Sequence, residues 1–431
     1  MKRLNVLYIL ILLSLIPGIN AQAQKDNKVE LQGPEYIKQV LFNSGVLVAP
    51  DFVETNKYDA YKAFDNIKGL FFNGLPYKGK STQVFCWYGV PKTLSQGQKA
   101  PAVVLVHGGG GTAFPQWVKK WNDKGYIAIS IALEGQIPGE KIDNGKGSKE
   151  YQTLPTSGPA RFGFFNDVTN DNLQDQWFYH AVSDVILAHS LLRSFPEVDT
   201  SKIGITGISW GGILTNVVTG IDDRFAFSIP VYGCGFLHDT PLYKKLLSHL
   251  NTNGQEFYLN TWEPSLYVPL QNLPTLFVNG TNDKHFTMNS FTKTYEASKN
   301  EKYLYVEHEM KHGHGPGWTP KEIYHFADYI IKDASSPIKI SLENKTDDRN
   351  NLTYSYNGNV KEAELYYTTD AKDWDHESYK WLKIPAVVIQ SDNIIKIELP
   401  KKADYFFINV TTPDGLVYSS SMEKVKCSNK K

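Results

Sequence analysis

The stretch Lys202-Ile203-Gly204-Ile205-Thr206-Gly207-Ile208-Ser209-Trp210-Gly211-Gly212-Ile213-Leu214 decides the fold. Its first half is apolar and β-branched, as a buried strand is, and its second half continues into the helical run GGILTNVVTGI. At the junction Gly207-Ile208-Ser209-Trp210-Gly211 matches G-x-S-x-G. A serine on a strained strand-to-helix turn projects its hydroxyl above the sheet, and glycine on either side lets neighbouring backbone approach closely. The helix N-terminus behind it favours developing negative charge. Ser209 is the candidate nucleophile.

Outward from this junction the chain alternates short apolar runs with amphipathic stretches from Pro101 onward. The runs are AVVLVH, YIAISIAL, KIGITGIS, FAFSIPVYG, PTLFVNG and KYLYVEH. Such alternation predicts a mostly parallel sheet with helices on both faces. Just ahead of the junction Phe178, Val182, Val185, Ile186, His189 and Leu192 recur at helical spacing, which makes His189 a core histidine rather than a ligand. Two stretches break the alternation, Glu134 to about Asn170 and Leu237 to about Gln271 with Trp262; loops at strand ends commonly wall a substrate pocket. Beyond Ser335 helical spacing stops. Seven short alternating runs, from IKISLEN to LVYSSSM, predict a small β-sandwich of immunoglobulin-like build. The expected division is 24–334 for the α/β unit with its N-terminal extension and 335–431 for the sandwich.

Three further motifs supply partners for Ser209. In VVLVHGGGG, glycines after a buried strand offer unobstructed amides to an oxyanion. The hole is assigned to Gly108 or Gly109 together with Trp210, the residue after the nucleophile. The run lacks the Lys-Ser/Thr of a Walker loop and the spacing of a dinucleotide loop, so a phosphate cradle is disfavoured. PTLFVNGTNDKHF places Asp283 just after a strand, where an acid belongs, with Asp239 as the fallback. KYLYVEHEMKHGHGPGW holds His308, His312 and His314; the turn length after the strand favours His312 as the base, and His314 is the alternative. A metal site from His285, His308, His312 and His314 would need a different spacing and would strip Ser209 of its base. The expected chemistry is two-step acyl transfer without a cofactor or metal, and it requires a neutral imidazole.

The N-terminus reads MKRLNVLYILILLSLIPGINAQAQ: two cations, an apolar run broken by Pro17-Gly18, then Ala21-Gln22-Ala23. This predicts a signal peptide over 1–23, export to the periplasm or medium, and no stable membrane insertion after cleavage. Lys plus Arg and Asp plus Glu balance at 45 each, which argues against nucleic acid as a partner. Cys86, Cys234 and Cys427 form neither a disulfide framework nor a zinc pattern; the first two read as packing residues.

Taken together HGGGG, GISWGG, NGTND and KHGHGPGW resemble the α/β-hydrolase superfamily, and within it the bacterial acetyl xylan esterase-like group, over roughly Ser81 to Asp333. That resemblance implies Ser209, Asp283 and His312 as nucleophile, acid and base, and an acetylated plant polysaccharide or oligosaccharide, or another ester, as substrate. The same residues are similar to the catalytic domain of prolyl-oligopeptidase-type serine peptidases. A third reading is an inert glycan-binding or scaffold protein, on the strength of Trp374 and Trp381 in the C-terminal unit, which could stack on sugar rings if exposed.

Overall fold

The computed structural model describes residues 33–56, 64–139, 141–143, 149–161, 168, 170–343, 351–369, 371, 374 and 379–425. The signal segment expected over 1–23 and Cys427 lie outside them. The first strands are β1 (Phe52–Thr55), β2 (Ile67–Tyr77), β3 (Lys80–Gly89), β4 (Ala100–Val106) and β5 (Ile127–Ile131). A two-stranded hairpin, β6 (Ile142–Asp143) and β7 (Lys149–Glu150), precedes β8 (Val198–Ile208), β9 (Phe227–Val231), β10 (Thr275–Gly280) and β11 (Lys302–Glu307). Nine of these form one sheet in the order β1-β2-β3-β5-β4-β8-β9-β10-β11. It is antiparallel from β1 through β5 and parallel from β5 to β11.

Every residue of β5, β9 and β10 is buried, as a sheet covered on both faces requires. The helices are α1 (Pro34–Asn43), α2 (Pro115–Asn122), α3 (Trp177–Ser194), α4 (Trp210–Thr219), α5 (Pro241–Leu247), α6 (Thr252–Thr261), α7 (Met288–Ala297), the single turn α8 (His314–Gly317) and α9 (Lys321–Lys332). His189 on α3 is fully buried; its Nδ1 lies 2.9 Å from Asp222 Oδ2 and its ring stacks on Phe225, so it is a core residue. The strand after β4 lies on one side of it and β8 lies on the other. Such a reversal opens a crevice at the carboxyl ends of the two strands, and the Gly108 loop and Ser209 leave the sheet there.

The C-terminal strands are β12 (Ile340–Leu342), β13 (Asn351–Tyr356), β14 (Glu362–Thr368), β15 (Leu382–Ile389), β16 (Ile394–Glu398), β17 (Tyr405–Thr411), β18 (Val417–Ser419) and β19 (Glu423–Lys424). Their antiparallel order β12-β13-β16-β15-β14-β17-β18 is that of an immunoglobulin-like sandwich, nearly closed because β15 pairs with β14 through its first half and β16 through its second. Alternate residues of β13 (Leu352, Tyr354, Tyr356) enter a core shared with Leu365, Ile395 and Ile408.

The two sheets form one compact unit. Tyr366, Trp374, Tyr379, Trp381, Phe407 and Met422 of the sandwich join the core of the larger sheet. Trp374 and Trp381 are only 7% and 4% exposed and belong to the core, which removes the alternative in which their rings stack on a sugar. The edge of β11 is also closed from this side. Val306 donates its amide to Ser419 Oγ at 2.8 Å and accepts Asn409 Nδ2 at 2.9 Å on its carbonyl, which satisfies an edge that would otherwise be open.

Candidate active site

The nucleophile turn is built by backbone contacts that only glycine allows. A Cβ on Gly207 would lie 2.1 Å from Gly211 O, and one on Gly211 would lie 1.9 Å from Val106 O. Clamped between them, Ser209 has φ 59° and ψ −116°, a strained conformation for a residue with a side chain. Its amide donates to Val231 O at 2.9 Å, so β9 holds the strained residue in place. Helix α4 starts at the next residue, which aims its first amides at the space above Ser209.

On the far side of the crevice β10 and β11 end together, with Gly280 paired to Glu307. The loop after β10 carries Asp283, whose side chain is fully buried. Asp283 Oδ1 accepts the amides of His285 (2.8 Å) and Phe286 (2.9 Å), and Oδ2 lies 2.6 Å from His312 Nδ1. A carboxylate there accepts a proton held on Nδ1, which leaves the lone pair on Nε2. Nε2 is 3.0 Å from Ser209 Oγ. The imidazole is packed by Tyr232 and His285 at 4.6 Å between ring centroids and by Phe286 at 6.0 Å. Ser209, His312 and Asp283 thus stand in one hydrogen-bonded line.

The alternatives weighed from sequence are used elsewhere. Asp239 pairs with Lys293 at 2.5 Å. His314 faces the glycine run: its Nε2 accepts the Gly108 amide at 2.9 Å, so it must be neutral at that nitrogen, and burial drives its pKa down to about 3. His308 Nε2 lies 3.2 Å from Trp381 O. With His312 on Ser209, the histidines of a supposed metal site serve separate purposes.

The bond to His314 also bears on the choice between Gly108 and Gly109 for the oxyanion. Gly108 gives its amide to His314, and its carbonyl accepts Gly111 N at 3.1 Å and His107 Nδ1 at 2.7 Å. His107 Nε2 accepts Leu133 N at 3.0 Å, which fixes Nδ1 as the protonated nitrogen; burial holds this ring neutral, with its pKa lowered to about 4. Gly108 is therefore the pinned end of the loop, which leaves Gly109 and Trp210 as the remaining candidate donors. The sequence reading missed His107 and His314 as braces, because nothing in their spacing tells which backbone group they will meet.

Arg161 was missed as well. Its Nε donates to Glu134 Oε1 at 2.9 Å, its guanidinium lies 4.9 Å over the Trp210 ring, and a Cβ on Gly109 would come within 2.7 Å of Nη2. With Gly110, Gln136 and Tyr151 it lines a cavity of about 430 Å³ beside the glycine run, so part of the 134–170 stretch does wall a pocket. The 237–271 stretch does a different job at Trp262, which is fully buried, stacks on Phe178 and donates to Gln176 Oε1 at 2.8 Å. A second cavity, of about 490 Å³, is lined by Asp283, His312, Lys284, Glu309, Tyr379 and Lys380.

Residues 53–251 match the family model described as acetyl xylan esterase (AXE1), and residues 236–376 match that of the PhoPQ-activated pathogenicity-related protein. Among solved structures, the acetyl xylan esterase from Paenibacillus sp. R4 superposes with a TM-score of 0.54 at 19% identity, over 70% of this chain and 96% of that one. Acetyl xylan esterase 1 from Thermoanaerobacterium sp. JW/SL YS485 gives 0.53 at 17% identity, over 71% of this chain and 95% of that one. A curated relative, the probable dipeptidyl-peptidase 5 of Aspergillus clavatus, is 26% identical over 153 residues, 34% of this chain. The match spans only 18% of that relative's length.

Proposed function

We propose that this chain, which has the α/β-hydrolase fold and matches the acetyl xylan esterase family model over residues 53–251, is an exported serine carboxylic-ester hydrolase that removes acetyl groups from plant polysaccharide or oligosaccharide. The reading is carried by one observation: an imidazole nitrogen 3.0 Å from Ser209 Oγ, with a buried carboxylate 2.6 Å from the other nitrogen. His312 takes the Ser209 proton as Oγ bonds to the acetyl carbonyl carbon, and the Gly109 and Trp210 amides hold the oxyanion. When that intermediate collapses, the bond to the sugar oxygen breaks and His312 returns the proton to the leaving hydroxyl. Water, deprotonated by the same imidazole, then releases acetate and restores Ser209. Asp283 stays ionised, orients the ring and stabilises its charged form.

Export is supported by the cationic, apolar and small-residue order of the first 23 residues. Among the described residues no helix is long and apolar enough to cross a membrane. The substrate class is supported by the family match over 53–251, and the dipeptidyl-peptidase relative makes an aminoacyl amide the discriminating alternative. The test is turnover of 4-nitrophenyl acetate, acetylated xylan and an aminoacyl 4-nitroanilide by one preparation, with Ser209→Ala as control. Acetate release from the first two, abolished by the substitution, and negligible amide cleavage are expected. Amide cleavage faster than ester cleavage would replace this reading with a peptidase, and near-wild-type esterase activity in Ser209→Ala would remove Ser209 from the chemistry.

A further inference from the structure

The acid and base loops leave neighbouring strands at the same level, and the 2.6 Å and 3.0 Å bonds of the line require those loops to keep one spacing. Part of that spacing is set locally. Thr281 donates its amide to Glu307 O at 3.0 Å, and its hydroxyl accepts Glu309 N at 2.9 Å, so one residue of the acid loop is tied to both ends of the turn that leads to His312. The rest comes from the sandwich. Trp381, one residue before β15, donates Nε1 to Thr281 O at 3.1 Å, two positions ahead of Asp283. Its own carbonyl lies 3.2 Å from His308 Nε2, four positions ahead of His312. The indole is seated edge-on to Phe407 of β17, with ring centroids 5.1 Å apart, so the strap is anchored in the second sheet.

We propose that Trp381 is a positioning residue for the reaction: it bridges the Asp283 and His312 loops and fixes their separation, which makes the C-terminal sheet a working part of the active site. The inference rests on the acyl-transfer reading of Ser209, His312 and Asp283. Its physical basis is that a buried indole N-H is stabilised by an acceptor, and here the acceptor is backbone of the acid loop, while the carbonyl of the same residue meets the base loop. The cavity at the dyad is consistent with this, since Tyr379 and Lys380 immediately before Trp381 form part of its wall together with Asp283 and His312.

The experiment uses the full chain. Trp381→Phe keeps a ring against Phe407 and removes the N-H. Four quantities are read: kcat and KM for 4-nitrophenyl acetate across pH, the rate of fluorophosphonate labelling at Ser209, and the thermal midpoint. A displaced dyad should lower kcat and the labelling rate together by about tenfold, with KM changed by less than about twofold, at temperatures where the variant is fully folded. His308→Phe cuts the second contact from the other side and should produce a smaller loss of the same kind. The double variant should lose less than the product of the two, because both act through one strap. If Trp381→Phe lowers only the thermal midpoint, with kcat and labelling within about twofold of wild type, Trp381 is packing alone and the proposal is overturned. Should Trp381→Phe fail to fold, an unchanged kcat and labelling rate in His308→Phe would overturn it. Failure of the underlying reading looks different: the wild-type chain would then not label at Ser209 at all.

Discussion

The two sides of the crevice are built by different means. Ser209 stands on a turn made within a few residues, where Gly207 and Gly211 let strand and helix backbones touch and β9 supplies one amide acceptor. Asp283 and His312 stand on loops tied to each other through Thr281, and through Trp381 to a sheet that begins after the last helix. The first arrangement stores strain at one residue, and the second distributes a distance over several long-range contacts. A site made this way should lose function abruptly when the nucleophile turn is altered and by degrees when the supports of the acid and base are loosened.

The largest expected effect is on the acid itself. Asp283→Asn would keep the size of the side chain but could present an amide N-H to His312 Nδ1, favouring the tautomer that cannot accept the Ser209 proton; a loss of about 10⁴-fold in kcat with a retained fold is expected. Steady-state kinetics and circular dichroism check this, and a loss below about tenfold would contradict it. Next, Gly211→Ala drives a methyl into Val106 O and should lower turnover by about 100-fold while reducing stability by about 1–3 kcal/mol. A variant with both values unchanged would show that the turn is looser than its contacts imply.

A smaller effect is expected at His314. His314→Leu removes the acceptor of the Gly108 amide, so the oxyanion loop loses its pin while Ser209, His312 and Asp283 keep theirs; kcat should fall by about tenfold and phosphonate labelling by a similar factor. Equal rates for wild type and variant would restore Gly108 as a candidate donor.

The smallest effect lies away from the crevice, at Asp184 of α3. Burial raises its carboxyl pKa from 3.8 to about 8, and Oδ1 has no hydrogen-bond partner among the described residues. A raised folded pKa means that the native state keeps this proton while the unfolded chain gives it up. Stability is therefore lost as pH rises from about 4 to about 8 and is level above that. Asp184→Asn should abolish this loss, raising the thermal midpoint at pH 9 by on the order of 2 °C, with the gain vanishing near pH 4 and esterase activity unchanged. A pH-independent difference would remove burial of the carboxyl as its cause.

The same division explains what could be read from sequence. The nucleophile turn and the parallel sheet were legible because GISWGG and the alternation of apolar runs are local patterns with local causes. The pairing of one acid with one base was less so: Asp283 and Asp239 both follow strands, His312 and His314 share one turn, and only the packing sends His312 to Ser209 and His314 to Gly108. Gly108 was grouped with Gly109 because a glycine run does not reveal which amide another chain segment will occupy. The surroundings of Trp374 and Trp381 were left open for a related reason. The β alternation identifies a sandwich, but it does not say which outer face a neighbouring sheet will cover.

The central claim is that Ser209 carries the acyl group during turnover. It is tested most directly by acid-quenching the chain during 4-nitrophenyl acetate hydrolysis and mapping the modified peptide by mass spectrometry. The account predicts one acetyl increment, on the peptide containing Ser209 and absent from Ser209→Ala; an acetyl group on a different residue, or steady turnover with no covalent species under rapid quench, would contradict it.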